Sequence, residues 1–514
     1  MNLRIPVQSF PATDYGRNSP FLLLLSIVLA LLLVLAISSG EFLLLGFVLV
    51  IPMTVMLAIF PKALLWITII GGLVIGGVLE LYLPQLQYLR WAFAGAAILF
   101  PVSVLIRNFM STARRLQMPA LCYWALAFLI LGVFTTILNW KDIGLIVFGW
   151  KGYFQVWGLL PGLAFLSFSP ELLRSLTKAF LYIGFIQLPF ALHQFLFLVP
   201  LRRGMGHNIV PVDVVAGTFG ASITGGGANS LLAVFLIFVA AGLVAMWQSG
   251  ELCGKWVLPI MPLLLGPIFL NESKMSVIYL VAVFFVLFRR EIVTKPIRFI
   301  TMSVAVVALI WGLIFSYAVV IEDSRVKTTS EVILEAYISN TAEGKTWGKY
   351  QLNRITALHF WEKERRKNDF LRVLFGHGLG EARDSSEGAL KMVHTLAGTS
   401  YVGMGIGITS ITSLLWETGV IGLMIILGMF VSAIRLAGRL AKLFRNSPFY
   451  AGLFNGIQVG VVLLALSLAH NNMFVFQFQY QVLVMLLLGC LVYAARHRDK
   501  IGMPDPGVYA KDGF

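Results

Sequence analysis

The sequence predicts an all-α, polytopic integral membrane protein with about 14 transmembrane helices, on three observations. Of its 514 residues, 58% are hydrophobic and only 12% are charged, against about 25% charged in soluble domains. The apolar residues come in blocks rather than alternating with polar ones; residues 20–38, PFLLLLSIVLALLLVLAIS, contain no charge. Lysines and arginines gather in the short stretches between blocks. A run of about 20 apolar residues crosses the roughly 30 Å hydrocarbon layer as a helix. Within lipid the backbone must satisfy its own hydrogen bonds, so repeated runs of this length mean helices.

Taken in order, the expected spans are 20–38, 42–60, 63–83, 91–106, 119–138, 152–168, 178–199, 230–248, 256–270, 274–288, 298–321, 411–434, 450–469 and 474–494. The first is too long for a signal peptide and lacks a small-residue cleavage site after it, so it is expected to stay as a helix. Residues 1–19 and 496–514 form polar tails, 20–321 a bundle of about 11 spans, and 409–495 the last three spans. Between these bundles, 322–408 is by far the longest loop and carries helical patterning of its own; a second, Gly-rich loop covers 200–229.

The net charge of +15 would suggest nucleic acid in a soluble protein. Here it reads as topology, and no nucleic-acid partner is expected. With the N-terminus inside, alternate loops hold Arg107, Arg114 and Arg115; Arg174 and Lys178; Arg289, Arg290, Lys295 and Arg298; and Arg435, Arg439, Lys442 and Arg445. The opposite loops hold only Arg90, Lys141, Lys151, Arg202, Arg203 and Lys274. Both termini are therefore expected in the cytoplasm, and both long loops outside. Cys122, Cys253 and Cys490 lie within or beside apolar segments and make neither a disulfide framework nor a metal-ligand pair.

Residues suited to chemistry lie mainly in the two outer loops. Arg354 opens an amphipathic stretch to Lys367 in which Ile355, Leu358 and Trp361 share one helical face and Arg365 adds a second cation. Its ordinary meaning is a surface helix; its functional one places a guanidinium, whose planar fork suits phosphate, at the membrane edge. Next comes Gly376-His377-Gly378-Leu379-Gly380, a tight turn open to close approach but no dinucleotide fingerprint. His394 follows in the same loop. Glu417-Thr418-Gly419 sits near the start of a span, where a carboxylate is costly unless a helix N-terminus favours it. The earlier loop offers Arg202, Arg203, Asp213, Gly217 and Asn229, read either as a connection ending in a helix cap or as a backbone nest for an anion. Lys274 and His470-Asn471-Asn472 are polar groups between spans, with the interface as their ordinary place.

The order of these features resembles the O-antigen polymerase and O-antigen ligase superfamily of bacterial membrane glycosyltransferases. The likeness runs over about residues 200–435. It rests on Gly217-Thr218-Phe219-Gly220 followed by Ala228-Asn229-Ser230, Asn271-Glu272-Ser273-Lys274, the Arg354 helix, Gly-x-Gly-x-Gly, and Glu417-Thr418-Gly419-Val420-Ile421-Gly422-Leu423 leading into a span. The resemblance implies a donor glycan on a polyprenyl diphosphate and a glycan or lipid acceptor. Transfer would occur at the periplasmic face of the bacterial inner membrane with no metal ion or other cofactor, alongside other polysaccharide assembly proteins, with polymerisation favoured over ligation. On this reading Arg354 and Glu417 are the candidates for catalysis, with His377 and His394 of the same loop as substitutes for the family's base, and Arg202, Arg203, Asp213, Gly217, Asn229, Lys274 and Arg365 are the candidates for binding substrate. The family segment often begins His-Asn about nine residues before the glutamate; Ile408 and Thr409 stand there in this chain. The competing expectations are a transporter or flippase of lipid-linked glycan, or a non-catalytic subunit of a synthesis complex. A transporter would be expected to show repeated halves and charges within its spans.

Overall fold

A computed structural model describes residues 59–110, 119–140, 143–166, 168–169, 171–205, 210–224, 226, 228–271, 273–289, 291–320, 352–365, 370–382 and 406–498. Every regular element among these residues is helical. Apart from three four-residue turns of helix, in chain order they are α1 (Pro61–Tyr82), α2 (Pro84–Ile106), α3 (Ala120–Leu138), α4 (Ile143–Phe154), α5 (Leu159–Phe165), α6 (Leu172–Arg203), α7 (Asn229–Ser249), α8 (Gly254–Leu270), α9 (Ser276–Phe288) and α10 (Pro296–Ser316). Then follow α11 (Arg354–Arg365), α12 (Phe370–Phe375), α13 (Ser410–Glu417), α14 (Gly419–Leu443), α15 (Pro448–Ser467) and α16 (Phe478–Arg496).

Nine of these helices are long and apolar enough to cross a membrane, or ten if α4 and α5, bent by 44°, make one span. Among the described residues the expectation of about 14 single spans changes where a predicted span is short, broken or extended. Residues 20–38 lie outside the described residues, as do all but the last two of 42–60. The stretches at 256–270 and 274–288 are helices of 17 and 13 residues, about 25 and 20 Å long at 1.5 Å per residue and short of the hydrocarbon thickness. The span expected at 411–434 is two helices: the chain breaks at Thr418 and Gly419, where Gly419 has φ +68°. In the other direction, α6 runs 32 residues, about 48 Å, longer than the hydrocarbon thickness.

The centre of the bundle is α7, α15 and α16. Every residue from Phe478 to Ala494 is buried, as expected of a helix that is apolar all round. Helices α7 and α15 approach closely because small residues face each other: a Cβ on Gly456 would lie 3.0 Å from the Gly242 Cα. At the periphery, α10 exposes Ile297, Ile300, Val304, Val307, Trp311 and Phe315, an apolar stripe suited to lipid. In the large loop, α11 packs on α13 through Phe360 and Trp361 against Trp416, with Ala357 buried beneath. The face expected from Ile355, Leu358 and Trp361 is thus rotated: Ile355 and Leu358 are exposed.

The direction of the helices separates two charged regions. Helix α15 has Ala451, Asn455 and Gln458 at one end and leads to His470 and Asn471 at the other. Helix α14 starts beside Glu417 and ends among Arg435, Arg439 and Lys442. Over the 20 residues of α15 these ends stand about 30 Å apart.

Candidate functional site

At the His470 end, three polar assemblies meet the sequence-predicted residues. The first is built on Arg354. Asn353 caps α11 by accepting from the backbone N–H of Ile355 at 3.1 Å and of Thr356 at 2.8 Å. That fixes Arg354 at the first helical position. Its Nε donates to the His470 carbonyl at 2.6 Å and its Nη2 to Asn471 Oδ1 at 3.3 Å. The Asn471 carbonyl accepts from Ser410 Oγ at 2.9 Å, tying the same corner to α13. Burial pushes the Arg354 guanidinium down from its ordinary value, opposed by the neighbouring Tyr279 hydroxyl. Burial, then the Arg354 charge, lowers His470 to about 3. His470 is therefore a neutral imidazole near pH 7.

The second assembly holds the Gly-rich loop. Arg202 is buried at 1% exposure, with the Asp213 carboxylate as a nearby counter-charge. Asp213 Oδ1 accepts from Asn229 Nδ2 at 2.9 Å, and the Asn229 carbonyl accepts from Asn271 Nδ2 at 3.3 Å. Residues 214–221 are buried, so their backbone groups need partners inside the protein. Two glutamines of α6 supply them. Gln194 Oε1 accepts from the N–H of Ala216 and Gly217, while its Nε2 donates to the Gly217 carbonyl. Gln187 bonds both the N–H and the hydroxyl of Thr218. Gly217, at φ +60° and against Gln187, serves this packing. The connection from α8 to α9 and the first turn of α9 link the two assemblies: Asn271 touches the second, and Tyr279 lies beside Arg354. There the Ser276 and Tyr279 hydroxyls are fully buried with no hydrogen-bond partner among the described residues.

The third assembly joins two motifs that are about 40 residues apart in sequence. Gly376, Gly378 and Gly380 all have positive φ, at 77°, 104° and 95°. This lets the loop lie against the Glu417 turn: His377 N donates to the Trp416 carbonyl at 2.8 Å, and Gly378 N to the Glu417 carbonyl at 3.1 Å. The His377 ring stacks on Trp416 with centroids 4.4 Å apart. The Glu417 side chain is fully buried, and its Oε1 accepts from the Ala382 N–H at 2.7 Å. Burial pushes its carboxyl up to about 7; the Ala382 N–H, Tyr153 and Gly380 pull the other way. Tyr153 acts without a hydrogen bond within 3.5 Å, since neither its hydroxyl nor Glu417 Oε2 has one among the described residues. Glu417 therefore fastens the loop to the bundle. The space beside His377 is about 10 Å³, room for at most about one water, so this imidazole does not face a sugar-sized cavity.

Of the residues expected from sequence, the structure brings Arg202, Asp213 and Asn229 together, and fixes Arg354, Glu417, His377 and Gly217 at the same end. Arg203, Lys274 and Arg365 are exposed, and His394 lies outside the described residues. The sequence reading gave too little weight to His470, Asn471, Ser276 and Tyr279. The usable signals were a His-Asn pair, and the parity of spans that puts 470–472 on the same side as Arg354. No group of three or more His, Cys, Asp or Glu that would hold a metal occurs among the described residues.

Fold and site define a helical, multi-pass membrane protein with a built polar corner at one end of its bundle. Comparison with protein-family models and with curated proteins gives no match.

Proposed function

We propose that the protein is a membrane glycosyltransferase that takes a polyprenyl-diphosphate-linked oligosaccharide as donor and extends a polysaccharide at the periplasmic face of a bacterial inner membrane. In this reading about 14 spans cross the bilayer. Both termini and the basic helix ends lie inside, and the 322–408 loop lies outside. The observation that carries it is the Arg354–His470–Asn471 corner: a guanidinium fixed at a helix start, beside a neutral imidazole, with buried hydroxyls next to it.

The acceptor hydroxyl attacks the anomeric carbon, and the bond from that carbon to the diphosphate oxygen breaks. His470 takes the hydroxyl proton, and the diphosphate leaves as an anion stabilised by the fixed Arg354 charge. Burial first, and the Arg354 charge second, make His470 a weak base in the empty site. A diphosphate beside Arg354 offsets that charge and raises the imidazole, so the base is strengthened when donor is bound. Arg202, held by Asp213, supplies the second cation of this end. Glu417 positions the loop that carries His377.

The test replaces Arg354 by Ala and by Lys, and His470 by Ala, and measures glycan chain length in cells at matched expression. The expected result is loss of long chains in R354A and H470A and partial activity in R354K. Normal chains from both alanine variants would refute the proposal.

A further inference from the structure

The opposite end of the bundle holds a cavity of about 1880 Å³. It is formed by the end of α9, the second half of α14, the start of α15 and the end of α16. Among the described residues seven cations line it: Arg289, Arg435, Arg439, Lys442, Arg445, Arg496 and Arg498. The one carboxylate among the described lining residues, Glu291, already pairs with Arg298 at 3.4 Å. On α14, Arg435, Arg439 and Lys442 recur at helical spacing, so they share one face. The charges come from segments separated by up to about 200 residues in sequence, and tertiary structure alone gathers them. Between them the wall mixes apolar side chains, among them Leu121, Val286, Leu287, Leu436 and Val459, with the neutral polar Gln248, Ser432, Asn455 and Gln458.

Topology alone explains cations at a helix end but not this arrangement. Lysine and arginine serve orientation equally, yet six of the seven are arginine. The guanidinium fork is the group that binds phosphate oxygens in pairs. Like charges crowded into one concavity repel unless an anion sits among them. The volume exceeds the roughly 300–1,000 Å³ of small-molecule sites, and a cationic lining with a partly apolar wall suits a phosphate on a hydrocarbon chain. Basic pockets between helices are a recognised seat for anionic headgroups.

We propose that this cavity binds a phosphate-bearing anion, with a membrane lipid as its source. The site is separate from the Arg354 corner and does not depend on the function assigned there. The full chain is purified, stripped of lipid and placed in vesicles or nanodiscs of phosphatidylcholine, with or without cardiolipin. Retained lipid is read by native mass spectrometry, and affinity by a fluorescent cardiolipin probe. Wild type retains cardiolipin over phosphatidylcholine. Arg435→Gln/Arg439→Gln weakens the probe about tenfold or more, the factor expected from losing one or two charge-assisted hydrogen bonds. Lys255→Gln/Lys295→Gln removes equal charge outside the cavity lining and leaves binding unchanged. Matching thermal midpoints of the lipid-free variants show that they are folded. Equal weakening by both pairs, or no weakening by the first, overturns the proposal. Displacement of the probe by inorganic pyrophosphate at similar concentration overturns the lipid source, because the phosphate alone would then hold the ligand.

Discussion

Replacing Glu417 by Gln removes the one buried carboxyl that fastens the Gly376–Gly380 loop, and the effect depends on pH. In the folded chain this carboxyl is pushed up to about 7 from an ordinary value of 4.5. The folded state therefore holds its proton where the unfolded chain has released it. The stabilisation is fully present below pH 4.5 and is lost as pH rises through 7, by at most about 3 kcal/mol. His470 acts in the opposite sense. Lowered to about 3 from 6.5, it makes the fold gain stability as pH rises from 3 to 6.5. The two trends oppose each other between pH 4.5 and 6.5 in the wild type, so the informative quantity is the difference between wild type and E417Q. The glutamine keeps an Oε1 acceptor for the Ala382 N–H and cannot ionise. Thermal unfolding in detergent from pH 4 to 8 should show wild type losing stability relative to E417Q above pH 5. The relative shift of the midpoint should be about a few degrees. Parallel pH profiles for the two proteins would show that the carboxyl is not held protonated by burial, and would refute the reasoning.

Two further substitutions test the packing that places the site. Gly376→Ala and Gly419→Ala each put a Cβ on a residue with positive φ and against facing backbone, Glu417 and Leu374 respectively. Each should cost about 1–2 kcal/mol from conformation alone, with more from the clash, read as a lower unfolding midpoint or loss of monodisperse protein. Gln194→Leu deprives Ala216 N, Gly217 N and the Gly217 carbonyl of their partner. At about 1–3 kcal/mol for each stranded group, it should destabilise the chain more than Leu201→Ala, whose side chain is exposed. Denaturation of the two variants side by side gives the comparison.

Apolar block length determined the helical class and the order of the helices, because a chain in lipid has no other way to satisfy its backbone. Spans such as α3, α7 and α15 fall where the sequence puts them, within a few residues. The same signal could not show that 411–434 is two helices. The break at Thr418–Gly419 exists because a distant glycine loop occupies that space, and hydropathy does not register a neighbour. Arg354 and Glu417 stood out in the sequence as charged residues at membrane edges, but their settings did not. Only folding put Arg354 on His470 and Asn471, 116 and 117 residues away, and sealed Glu417 under the Ala382 N–H. The arginines of the basic cavity were legible one loop at a time as topology signals. Their convergence depends on the ends of α9, α14 and α16 meeting in space, which local sequence cannot encode.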